Sequence, residues 1–126
     1  MTDLTVIRAD GTEETIKIHS TAATGMIYQR LFGRNFQKDV DAIQGDNSEG
    51  DVSAVQEAFP RVFYIWNLLA NFGTSLTLAQ ILGKTEEDYL EWLMNYSLNA
   101  FTSPKAVSAF ADEYARGLKT NTESKN

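Results

Sequence analysis

Apolar and polar positions alternate with a period of two at the start of the chain and shift to a helical period afterwards. Leu4 and Val6, then Ile16 and Ile18, are flanked by polar neighbours, the pattern of strands with one buried face. The runs Leu4 to Arg8 and Thr15 to His19 are separated by Asp10-Gly11. Asp-Gly accepts the positive φ angles of a tight turn, so this region predicts a β-hairpin. A lone hairpin is marginal in water and must pack on the remainder of the chain.

From Thr21 onward the apolar residues recur at threes and fours. Ala23, Ile27 and Leu31 mark one helical face, widened by Tyr28 and Phe32, and Gly33 stands where a glycine C-cap would. Asn35 is placed to cap a second helix carrying Phe36, Val40 and Ile43, and Gly45 to Gly50 reads as a polar loop. Val52, Val55, Phe59, Val62, Trp66 and Leu69 form the strongest stripe, with Phe63, Ile65 and Leu68 beside it. Pro60 falls inside that stripe, which predicts a kink or a restarted helix. A short helical turn is expected around Leu76 to Leu82.

Thr85 then precedes Glu86-Glu87-Asp88, a cap followed by acidic residues in a first helical turn. The helix beginning there carries Tyr89, Leu90, Trp92, Leu93, Met94, Tyr96 and Leu98 and is apolar over much of its circumference. Ser103-Pro104 starts a last helix whose expected buried face is Val107, Phe110, Ala111, Tyr114 and Leu118. The expected fold class is α+β, mainly α: a small N-terminal β-hairpin packed on a bundle of about five helices. Residues 1–118 form a single domain, 1–20 the hairpin and 21–118 helical, and 119–126 a disordered polar tail.

Charge and composition narrow the function. With 126 residues and a formal charge of −6, the chain lacks the clustered cations that bind phosphates or an anionic membrane. It has no cysteine, which excludes disulfides and thiolate–zinc sites. Val52 to Phe72 is interrupted by Gln56, Glu57, Arg61, Asn67 and Asn71, so it does not read as a membrane span, and a soluble, intracellular protein is expected.

The inventory for catalysis is thin. His19 is the sole histidine and stands at a predicted strand end without an obvious partner. The acidic residues Asp39, Asp41, Asp46, Glu49 and Asp51 fit no calcium-loop register, since neither Asp39 nor Asp46 as first ligand puts glycine at position six. No glycine pattern resembles a phosphate loop, and no serine has a nucleophile context. The expectation is a protein that is not an enzyme and uses no cofactor or metal. Aromatic residues on the helices exceed what one buried stripe per helix requires, and Trp and Tyr also dominate protein interfaces.

The stretch Tyr28-Gln29-Arg30-Leu31-Phe32-Gly33-Arg34-Asn35 is similar to the Tyr-Arg…Phe-Gly-x-Asp signature of tail assembly chaperones from siphophages and prophages of Gram-positive bacteria. Asn35 stands where aspartate is commoner, and Gln29 where arginine is usual, with Arg30 next to it. The order of the remaining segments also resembles that family, from an N-terminal strand region through a helix with a central Trp66 to Glu86-Glu87-Asp88-Tyr89-Leu90-Glu91-Trp92-Leu93. The resemblance implies a chaperone that binds the tape measure protein, helps recruit the tail tube protein, self-associates, and is absent from the mature virion. Tyr28, Phe32, Trp92 and Tyr96 are the partner-interface candidates. The alternatives are a structural head–tail connector or completion protein of the virion, and a small acidic protein-binding regulator.

Overall fold

The computed structural model describes residues 1–44 and 52–124. Strands β1 (Thr2–Ile7) and β2 (Glu13–Ile18) pair antiparallel, with Leu4 opposite Ile16 and Thr2 opposite Ile18. Their inward residues Leu4, Val6, Ile16 and Ile18 are buried, as the alternation requires. The turn closes over residues 8–12: Gly11 has φ +89°, its N–H donates to the Arg8 carbonyl at 2.9 Å, and Asp10 Oδ1 accepts the Thr12 N–H at 3.0 Å.

Six helices come after the hairpin among the described residues, and the architecture is α+β. They are α1 (Thr24–Phe32), α2 (Phe36–Gln44), α3 (Val52–Ala70), α4 (Leu78–Leu82), α5 (Glu86–Leu93) and α6 (Pro104–Ser124). The local signals act where the sequence places them. Gly33 ends α1 in the left-handed region at φ +66°, and Asn35 Oδ1 accepts the Lys38 N–H at 2.8 Å to start α2. Thr77 and Thr85 each form a reciprocal capping box, with Gln80 and Asp88. Ser103 Oγ accepts the Ala106 N–H to open α6 at Pro104. The loop expected at Gly45 to Gly50 lies outside the described residues.

Helix α3 is the axis of the molecule. Five successive residues, Val62 to Trp66, are buried, so this stretch of the helix is enclosed on all sides, as a helical segment apolar all round must be. Its neighbours are β2, α1, α2 and α5, and Phe110 of α6 lies edge-on to Phe59 at 5.2 Å and stacks on Trp66 at 5.4 Å. Pro60 lies within α3, yet the helix does not restart there. Burial of Phe59, Val62 and Phe63 on both sides holds the two halves in one rod, against a proline cost of about 3 kcal/mol.

Two expectations are corrected at α6. Its buried face is Ala106, Ala109, Phe110, Glu113 and Gly117, whereas Val107 and Ala111 are exposed. The face is turned by about one residue towards small side chains because the helix runs close to the hairpin. A Cβ at Gly117 would run into Ser20 Oγ and stand 3.0 Å from Ser20 Cβ. Helical backbone also continues to Ser124, past the expected end at Leu118. Lys119 to Ser124 contains neither glycine nor proline, and extending an existing helix costs little. Residues 125–126 of the expected tail lie outside those described.

Candidate protein-binding surface

The four aromatic candidates fall into one seam of rings that faces inward. Tyr28 has no exposed surface and is therefore a core residue, not an interface residue. Its ring meets Phe32 edge-on at 5.0 Å; Phe32 meets Tyr89 at 5.0 Å; Tyr89 stacks on Trp92 at 6.3 Å; Trp92 packs on Tyr96 at 5.1 Å. Phe32, Trp92 and Tyr96 are half-buried. Trp92 also stacks on Phe101 at 4.9 Å, and the Tyr96 hydroxyl donates to Glu14 Oε1 at 2.8 Å. The seam binds α1 to α5 and α5 to the hairpin.

Beneath it lies a polar corner built from the Tyr28 to Asn35 stretch. Asp39, from α2, is buried and accepts hydrogen bonds from the Tyr28 hydroxyl and from Arg34 Nε (2.8 Å) and Nη2 (3.0 Å). Arg61 of α3 stands 3.9 Å away, with its guanidinium over the Phe32 ring at 5.9 Å. Burial works to raise the Asp39 pKa, but the bonds from Arg34 and Tyr28 and the charges of Arg34 and Arg61 together hold it below the usual carboxylate range. Tyr28 is pushed the opposite way, by burial and by the carboxylate beside it. Tyr28, Phe32 and Arg34 thus link α1, α2 and α3 around Asp39 and Arg61, with Arg34 still half exposed.

A second buried carboxylate ties the chain's ends together. Glu113 of α6 accepts from Thr2 Oγ1 at 2.6 Å, the Ser20 N–H at 2.8 Å and Arg116 Nη2 at 3.0 Å. His19 Nδ1 is 4.0 Å from the same carboxylate and has no hydrogen-bond partner among the described residues. The histidine backbone N–H donates to the Trp66 carbonyl at 3.0 Å, a strand-end role.

An apolar row is exposed from α5 into the turn after it. Tyr89, Trp92 and Leu93 of α5 pack inward, as does Tyr96 in the bridge beyond it. Leu90 on α5, Met94 at its C-cap and Leu98 in the following turn are 53%, 78% and 97% exposed. The segment after α5 is tied to the hairpin by a backbone bond from the Ser97 N–H to the carbonyl of Ile7, itself 40% exposed, at 2.9 Å. Glu87 and Glu91, also exposed and four apart, run beside Leu90 and Met94. The row is readable in principle as a second four-residue repeat, but a helix apolar over most of its circumference conceals which side turns inward. Glu113 gives no such signal, because its apolar neighbours suggest a different face.

No helix among the described residues is long and apolar enough to cross a membrane. Nor do three His, Asp or Glu side chains converge there as a metal site would need. No protein-family profile, curated protein or solved structure matches this chain.

Proposed function

We propose that this chain is a phage tail assembly chaperone that binds the tape measure protein, helps recruit tail tube subunits, and leaves before the virion is complete. The reading rests on the resemblance around Tyr28 to Asn35, and the observation that supports it is the exposed row Leu90, Met94 and Leu98. Three large exposed apolar side chains at the end of α5 and in the turn after it, with Glu87 and Glu91 nearby on α5, suit an amphipathic helix whose apolar stripe is bordered by basic residues. A long helical tape measure protein has many such stripes to shield before the tube forms. The formal charge of −6 would keep a coated complex soluble. The work is done in the host cytoplasm, and several copies coat one partner.

The test is co-expression with the tape measure protein of the same genome, followed by affinity purification. A soluble complex with many copies of this chain is expected, and Met94→Glu with Leu98→Glu should abolish it while leaving the chain folded. An insoluble tape measure protein with nothing bound, or recovery of this chain from purified virions, would sink the proposal. The second result would point to a connector or completion protein.

A further inference from the structure

The hairpin has one strand edge that the fold leaves partly unpaired. The chain after α5 adds to the outer edge of β1 at its far end: Arg8 bridges Tyr96 antiparallel, the Ser97 N–H donates to the Ile7 carbonyl at 2.9 Å, and the Ala9 N–H donates to the Asn95 carbonyl at 2.9 Å. It then turns away, with the Ala100 N–H donating back to Ser97 at 3.1 Å. Backbone groups alternate sides along an antiparallel strand. Because the Ile7 carbonyl faces the outer edge, the N–H and C=O of Thr5 and Asp3 face it as well. Beyond that edge lies a groove of about 520 Å³ between β1 and the start of α6, walled by Lys105, Ser108 and Asp112. A second hollow of about 430 Å³ continues it past Ile7, Glu13 and Asn99.

We propose that this edge is a docking site for an extended, basic peptide segment of another protein, which adds to β1 as a further strand in the groove against α6. The main-chain groups of Asp3 and Thr5 supply up to four hydrogen bonds, and the groove takes alternate side chains, as in other cases of strand addition. Charge selects the occupant. Asp3, Glu13 and Asp112 border the groove against Lys105, on a molecule whose overall charge is −6. Asp3 shares its carboxylate with Lys17 at 3.1 Å in an exposed ion pair that an incoming cation can replace. The site is distinct from the α5 row and does not depend on the proposed function.

The probe is an acetylated hexapeptide alternating lysine and valine, titrated into the full chain labelled with ¹⁵N. The Asp3 and Thr5 amide signals are expected to shift, and their hydrogen exchange to slow. Thr5→Pro removes an outward donor without touching the β1–β2 ladder and should weaken binding by about tenfold or more. Ser108→Trp, which fills the groove from an exposed helix position, should do the same if the proline variant fails to fold. Three results would overturn the proposal. One is no shift at millimolar peptide. Another is an equal shift from the same peptide N-methylated at every backbone nitrogen, which means attraction by charge alone. The third is protection of Asp3 and Thr5 that grows with protein concentration without peptide, which gives the edge to a second copy.

Discussion

Replacing Asp39 by alanine would leave the Tyr28 hydroxyl buried without its acceptor and remove the anion between Arg34 and Arg61. The expected cost is about 2–4 kcal/mol in chemical denaturation, since one partner of a buried network is lost and the others stay. The contribution also depends on pH. Because the folded-state pKa of Asp39 lies below its ordinary value, the stabilisation is complete above about pH 3.9 and is lost as pH falls through the folded value. The gap in stability between the native chain and Asp39→Asn should therefore close on acidification and stay constant between about pH 5 and 8. Gly117 offers a second test at this scale. Alanine normally favours a helix by about 1 kcal/mol over glycine, yet Gly117→Ala places a methyl against Ser20 and should lower the melting temperature. Adding Ser20→Gly should restore it. Neither carboxylate site is legible in the sequence as a site: Asp39 reads as a solvated helix residue, and Glu113 as one of several acids near the C-terminus. A buried charge is defined by residues distant in sequence, here Thr2 and Ser20.

At the scale of the element, local chemistry is readable where one or two residues decide it. The caps at Asn35, Thr85 and Ser103 and the glycine stop at Gly33 depend on backbone groups within a few residues, and each operates as the sequence indicates. Thr85→Ala should cost about 1 kcal/mol, measurable by thermal unfolding. Which face a helix buries is less legible. In α6 the side chains Val107 and Ala111 look as apolar as Ala106 and Ala109, and the packing of Phe110 on α3, the approach of Ser20 to Gly117 and the bonding of Glu113 fix the rotation. In and just after α5 the aromatic residues have the chemistry of a partner interface, whereas they pack inward and Leu90, Met94 and Leu98 are the ones exposed. Aromatics bury the largest areas and win the interior. Met94→Glu and Leu98→Glu should accordingly change folding stability by no more than about 0.5 kcal/mol each, because neither side chain leaves water on folding.

At the scale of the molecule, the architecture of a hairpin against helices is visible because the switch from a period of two to one near four occurs once, near Thr21. What the pattern does not convey is that the hairpin is clasped by two helices far apart in sequence, with α3 against β2 and α6 against β1. A chain ending at residue 109 would lack Phe110, Glu113 and Gly117 while keeping every other core element. It is expected to lose its cooperative thermal transition and to bind hydrophobic dyes, as compact chains without fixed packing do.

The bond from Thr2 to Glu113 spans 111 positions of sequence, and that span sets an order of events during synthesis. The hairpin leaves the ribosome well before the helix that closes over it. Until then Leu4, Val6 and the outer edge of β1 stay open to whatever else is nearby. Such long-range closure is slow and exposed to misassociation, so folding yield should depend on how quickly translation proceeds from β1 to the release of α6.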